Sequence, residues 1–147
     1  MNQSPNRPAA VSDTPADKLI QIARDAAQQA YSPYSGWRVG AAVEWADGSI
    51  VRGANVENVS YGLTICAERS AIVAGVTAGQ RRLVRVAISC TDQTGQRVSA
   101  VTPCGACLQV LAEFGAGDTE VWIDGGGRFQ LRDFLPRPFA AEGPKPG

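Results

Sequence analysis

Two short runs carry most of the chemistry this chain can perform: Cys66-Ala67-Glu68 and Pro103-Cys104-Gly105-Ala106-Cys107. They bring three thiols and one carboxylate, and the sequence contains no histidine. That absence removes the commonest catalytic base and the commonest neutral metal ligand together. A zinc ion here must be held by cysteines, and a proton must travel by carboxylate, lysine, tyrosine or water. Cys104 and Cys107 stand three residues apart at the start of an expected helix, which puts both sulfurs on one face. Cys66 opens a second expected helix. Two positive helix ends aimed at one point favour thiolates at neutral pH. Three sulfurs leave the fourth tetrahedral position open, as catalytic zinc sites do, and water held there has its pKa lowered to about 7. Glu68 follows Cys66 by two residues. In a first helical turn both side chains reach the space beyond the helix end, where a carboxylate can shuttle protons.

Each run also has a plainer reading. Cys-x-x-Cys marks redox and structural zinc sites as well as catalytic ones. Cys66 alone reads as a core thiol, and Glu68 alone as a charge at a helix start. Cys90 ends an apolar strand and reads as a core thiol, although as a fourth ligand it would close the site into a structural zinc module. Gly125-Gly126-Gly127 follows Trp122-Ile123-Asp124 with no helix behind it, so a hairpin turn is expected rather than a phosphate cradle. Trp37, Trp45 and Trp122 read as core or interface aromatics.

The elements that must position these groups alternate in type. Thr14-Pro15 with Asp17 starts a helix, and Leu19, Ile22, Ala26 and Ala30 keep its apolar stripe. Ser32-Pro33-Tyr34-Ser35-Gly36 forces a turn. Strands are expected over 39–43 and 50–55, joined at Asp47-Gly48. A helix runs from near Cys66 to near Gly79. A strand over 84–90, apolar almost throughout, is buried on both faces. A third helix runs from Pro103 to Gly115 with Cys107, Val110, Leu111 and Phe114 inward. Strands over 120–123 and 129–131 follow, then a short helix over 131–135. The alternation predicts a layered α/β domain with helices covering each face of a sheet.

Bulk properties narrow the function. The chain has 147 residues, of which 44% are hydrophobic, enough for one domain with its own core. Residues 1–13 are expected to be a disordered extension, 14–139 a single domain, and 140–147 a loose tail. Fourteen basic and 14 acidic residues give zero formal net charge. No basic tract tracks a phosphate backbone, so nucleic acid is not the expected partner. No apolar run approaches the ~20 residues that span a bilayer, and the first residues lack the blocks of a secretory leader. A cytoplasmic, reducing setting is expected, where four cysteines read as metal ligands or core thiols.

Taken together the two runs resemble the cytidine deaminase family, in its short, free-nucleoside branch; His or Cys, Glu two residues on, and Pro-Cys-x-x-Cys form the zinc deaminase signature. The resemblance extends to Tyr31-Ser32-Pro33-Tyr34-Ser35-Gly36-Trp37-Arg38-Val39-Gly40-Ala41-Ala42, to Asn55-Val56-Glu57-Asn58, to Ser60-Tyr61-Gly62, to 109–114, and to Leu135-Pro136 with Phe139. It implies a three-layer α/β/α fold around a mixed five-stranded sheet. It also implies one zinc ion per chain on Cys66, Cys104 and Cys107, with Glu68 as the proton shuttle. Asn55 and Glu57 would bind the ribose hydroxyls, Trp37 would line the base, and Ala67 and Phe139 would contact substrate. Arg69 would donate to the zinc thiolates. Water would add at C4 of a cytosine nucleoside, giving uridine or deoxyuridine and ammonia in pyrimidine salvage. The resemblance further implies a homotetramer with shared active sites, Phe139 reaching a neighbour's base. A related deaminase of another cytosine nucleoside, such as an antibiotic, would use the same chemistry. Two positions depart from the family pattern. Leu108 stands where Arg is usual, and Val59 where Ala is usual. Both are expected to alter packing near the pocket, and Leu108 to alter the charge balance at zinc.

Overall fold

The computed structural model describes residues 14–140. The expected disordered extension, 1–13, lies outside the described residues, as does the expected loose tail apart from Ala140. Helix α1 spans Pro15–Ala27. Thr14 caps it by accepting the Asp17 N–H at 3.3 Å, and its hydroxyl donates to the Asp17 carboxylate. Strands β1 (Arg38–Trp45) and β2 (Ile50–Ala54) form an antiparallel hairpin. Its turn works as the sequence implies: Gly48 takes φ of 87°, and Asp47 accepts the Ser49 N–H. Helix α2 covers Ala67–Thr77, after a 3₁₀ turn over Tyr61–Leu63. Strand β3 (Leu83–Thr91) pairs antiparallel with β1. Helix α3 (Gly105–Phe114) then crosses over to β4 (Glu120–Ile123), which is parallel to β3. Strand β5 (Gly127–Gln130) returns antiparallel to β4, and helix α4 (Leu131–Phe134) follows.

The sheet order is β2-β1-β3-β4-β5, a mixed five-stranded sheet. Strand periodicity splits it into two faces. Ala42, Ala87 and Trp122 pack with Ala16, Leu19 and Ala23 of α1. Their neighbours Ala41, Val43, Val86, Ile88 and Val121 form the other core with Ala67, Ala71, Ile72 and Leu111 of α2 and α3. Helices therefore lie on both faces, as the expected three-layer fold requires. Two glycines let helices rest on strand backbone. A Cβ on Gly40 would lie 1.9 Å from the Ala23 carbonyl of α1, and one on Gly53 would lie 2.4 Å from the Ala71 nitrogen of α2. The second approach fixes the depth at which α2, and hence Glu68, sits.

Three expectations shift. The fifth strand begins and ends earlier than expected, because Gln130 is the cap of α4: its N–H donates to Asp133 in a capping box. Leu108 is a core residue rather than a surface one. It is 7% exposed and part of the α2–α3 core, because α3 packs on α2 as well as on the sheet. Val110 and Phe114 are only partly buried.

Candidate active site

The N-termini of α2 and α3 meet beyond the carboxyl end of β3. Cys66 is the N-cap of α2 and Cys104 the N-cap of α3. The Cys104 sulfur accepts the Cys107 N–H at 3.4 Å, so the cap bond itself orients one thiol toward the other. The Cys66 and Cys104 sulfurs stand 3.8 Å apart, those of Cys104 and Cys107 3.3 Å apart, and all three lie within 4.8 Å of one another. The edge of a tetrahedron with Zn–S bonds of about 2.3 Å is about 3.8 Å, so the triad fits zinc. Cys90 is not part of it. It is buried in β3, donates weakly to the Thr91 carbonyl, and burial pushes its thiol up to about 11. That is the behaviour of a core thiol, and a fourth sulfur does not close the site.

The donor set is all sulfur, so its charge must be met. Arg69, one turn into α2, directs Nη2 to the Cys66 sulfur at 3.7 Å and to the Thr64 carbonyl at 3.2 Å. Its buried Nε has no partner among the described residues. A hydrogen bond from Cys107 and the Arg69 guanidinium hold the Cys66 thiol down at about 5, while Cys107, bonded to that sulfur and buried, is pushed up. One thiolate is thus favoured before any ion arrives.

Glu68 sits at the second residue of α2, 4% exposed. It lines a cleft of about 190 Å³ with Asn55, Cys66, Ala67 and Cys104, and burial pushes its carboxyl up. Val39, Ile88 and Val101 make the apolar walls of that cleft, and Thr102 adds a hydroxyl. A low-polarity cleft with one buried carboxylate beside three sulfurs suits proton transfer to a bound ring. Thr64 also borders a second, outer cleft of about 380 Å³ formed by Tyr34, Ser35, Glu57 and Tyr61. Glu57 Oε1 accepts the Tyr34 and Ser35 N–H groups, and Oε2 accepts the Ser35 hydroxyl. Burial opposes ionisation of Glu57, but these donors outweigh it and hold the carboxyl below its ordinary value. Asn55 is buried; its Oδ1 accepts the Val39 N–H at 2.8 Å and its Nδ2 donates to the Trp37 carbonyl at 3.0 Å.

The structure thus brings Asn55, Cys66, Ala67, Glu68 and Cys104 to one cleft and Glu57 to the adjoining one. It does not bring in two others. Trp37 is 40% exposed and does not line either cleft. Phe139 is 85% exposed, with its backbone held on both sides by Gln109 of α3. A cavity of about 460 Å³ opens at the opposite end of β3 and β4, lined by Arg82, Phe114, Asp118 and Gln130 among others, and contains none of these groups.

Residues 13–122 match the family model for the cytidine and deoxycytidylate deaminase zinc-binding region. The chain belongs to the cytidine and deoxycytidylate deaminase family. The matched stretch includes Cys66, Glu68, Cys104 and Cys107, and zinc is the cofactor of this family region. The chain is 44% identical to a cytidine deaminase of Halalkalibacterium halodurans over 128 residues, covering 84% of this chain and 93% of that one. It is 46% identical to a cytidine deaminase of Mycobacterium tuberculosis over 121 residues, with 82% and 86% covered. A crystal structure of cytidine deaminase from Mycobacterium tuberculosis superposes with a TM-score of 0.74 at 41% identity, covering 88% of this chain and all of that one. Like these relatives, the chain is a hydrolytic deaminase of the α/β class. Among the described residues, no helix is long and apolar enough to cross a membrane.

Sequence reading gave no role to Thr64, Val101 or Thr102, and it placed Ser35 only in a turn and in the segment that resembles the family. Val101 and Thr102 directly precede Pro103-Cys104, so their place beside a ligand was available from adjacency. Ser35 carried no such signal, because its partner Glu57 lies 22 residues away.

Proposed function

We propose that this chain catalyses the zinc-dependent hydrolytic deamination of cytidine and deoxycytidine to uridine and deoxyuridine, with release of ammonia. One observation carries the reading: a buried carboxylate, Glu68, lines the same cleft as the Cys66 and Cys104 sulfurs, with Cys107 completing the triad. Cys66, Cys104 and Cys107 hold one zinc ion, and Arg69 meets part of the charge of their thiolates. When bound, zinc supplies Lewis-acid activation of water. Glu68 does the rest of the proton work. It takes a proton from the water that adds at C4 and places it on N3. It then takes the proton of the new C4 hydroxyl and delivers it to the amino nitrogen, which leaves as ammonia as the C4–N bond breaks and the C4 carbonyl forms. The walls of Val39, Ile88 and Val101 shield that carboxyl from bulk water, and burial pushes its pKa up, which suits a group that both takes and returns protons. Ala67 backs the ring, and the sugar hydroxyls are taken by Asn55 from the inner cleft and by Glu57 from the outer one. Residues 14–139 form the catalytic domain, and the enzyme serves pyrimidine salvage in the cytoplasm.

The exposed apolar surface supports a homotetramer with shared sites. Val59, Tyr61 and Leu63 are largely exposed beside the outer cleft, together with Tyr31 and Val56. Phe139 is turned away from its own chain, where it serves as the aromatic that seals a neighbour's base. Trp37 completes the base wall in the assembled site. Light scattering should give the mass of four chains, and truncation before Phe134 should lower activity and loosen the assembly together.

The functional test is ammonia release from cytidine, deoxycytidine and free cytosine by zinc-loaded protein. Both nucleosides should react and free cytosine should be a very poor substrate, because buried polar groups are left unpaired without the sugar. Efficient deamination of the free base, or preference for another cytosine nucleoside over both, would refute the reading.

A further inference from the structure

Ser35 ties the two halves of the outer cleft together. Its hydroxyl donates to Glu57 Oε2 at 2.5 Å and accepts the Trp37 N–H at 3.0 Å. Its own N–H and that of Tyr34 donate to Glu57 Oε1 at 3.1 and 3.0 Å. Resting on the sugar-binding role proposed for Glu57, we infer that Ser35 is a positioning residue. It leaves Glu57 a single acceptor direction for one sugar hydroxyl and holds the Trp37 backbone in step with it.

The argument is a count of lone pairs. An ionised carboxylate offers about four acceptor directions. Oε1 uses both of its directions on the two loop N–H groups, and Oε2 uses one on Ser35. One direction remains for the cleft bounded by Tyr61 and Thr64. A freely turning carboxylate could grip both hydroxyls of a ribose; one pinned at three points accepts from one. Because cytidine and deoxycytidine are both proposed as substrates, the one hydroxyl that Glu57 so restrained accepts is assigned to the 3′-position, which the two sugars share, and not to the 2′-position. Ser35 also acts in the other direction. Its acceptance of the Trp37 N–H and the Asn55 bond to the Trp37 carbonyl grip that residue's backbone from both sides. Sugar carboxylate and aromatic residue are thereby set by one hydroxyl, so substrate finds them already in register rather than ordering them on arrival.

The inference is tested on the full, zinc-loaded chain with Ser35→Ala and Ser35→Thr, using cytidine, 2′-deoxycytidine and 3′-deoxycytidine as substrates. The unmodified enzyme should use the first two comparably and the third poorly. Ser35→Ala should raise KM for cytidine and 2′-deoxycytidine about tenfold, the worth of one hydrogen bond to a charged partner, with kcat little changed. It should add little to the already poor use of 3′-deoxycytidine, because the bond it disorients is absent there. Ser35→Thr keeps the Oγ and should restore most of the affinity. An equal rise on all three substrates, or a fall in kcat with loss of zinc, would reduce Ser35 to general loop support and overturn the inference while leaving the role of Glu57 intact. Equal use of cytidine and 3′-deoxycytidine by the unmodified enzyme would overturn the sugar-binding role of Glu57 itself, and this inference with it.

Discussion

Replacing Asp124 by Asn should cost this protein a large, pH-dependent share of its stability. Asp124 directly follows β4 with its side chain 2% exposed, and it is the point where four segments meet. Arg24 of α1 donates to it through Nε at 2.8 Å and Nη2 at 2.7 Å. Arg97, in the β3–α3 connection, adds contacts at 3.0 and 3.3 Å, and the Ser89 hydroxyl of β3 donates at 2.8 Å. Removing one partner of a buried pair typically costs about 3–5 kcal/mol. Both guanidiniums are about two-fifths exposed and can rehydrate, so the cost is reduced to about 2–3 kcal/mol. With about 2.1 cal/mol/K of unfolding entropy per residue, that lowers Tm by roughly 8–11 °C. Burial alone would raise the Asp124 pKa, but Arg24, Ser89 and Arg97 outweigh it and hold it below its ordinary value. A depressed carboxylate contributes stability that is present above the unfolded pKa of about 3.9 and is lost as pH falls through the folded value. Thermal unfolding at one protein concentration across a pH series is the assay. The gap between parent and Asp124→Asn should be constant from about pH 8 to about pH 5 and should shrink below about pH 4. A gap under about 0.5 kcal/mol, or one that persists unchanged into acid, would refute this account of the network.

Three further pairs of substitutions probe the site. Cys104→Ser should lose bound zinc while Cys90→Ser retains it, as metal analysis after gel filtration will show. Arg69→Ala should release zinc to a chelator faster than Leu108→Ala does; the latter should instead lower stability by about 2–4 kcal/mol in thermal unfolding, as a core truncation. Gly53→Ala places a methyl 2.4 Å from the Ala71 nitrogen and should displace α2. Both thermal midpoint and zinc content should fall in that variant, whereas Gly48→Ala, with open space around its Cβ, should leave zinc in place.

What could be read from the sequence was local. The Asp47-Gly48 turn, the Thr14 cap and the Cys104-x-x-Cys107 pair each depend on residues a few positions apart, and each appears as expected. The Cys66–Glu68 offset was legible because a helix start relaxes the usual divergence of side chains two apart. What was not legible depends on long-range closure. Arg24 and Asp124 are 100 residues apart, and no pattern on α1 announces that an exposed-looking arginine caps the end of β4. The burial of Leu108 was not legible because the comparison at that position was between charges, whereas burial follows from how α3 packs into the core. That Cys66 joins the Cys104-x-x-Cys107 pair was expected from two helix starts aimed at one point; that the Cys66 and Cys104 sulfurs stand 3.8 Å apart depends on how α2 and α3 pack together.

The most direct test of the account is the rate of ammonia release from cytidine by the zinc-loaded chain beside its Glu68→Gln variant, with zinc content and thermal midpoint measured on both. The account predicts uridine and ammonia in equal amounts from the parent. It predicts a variant that keeps its zinc and fold but is slower by about 10²–10⁴-fold, the usual worth of general acid–base catalysis. A folded, zinc-loaded Glu68→Gln enzyme that keeps a substantial fraction of the parent rate would contradict it.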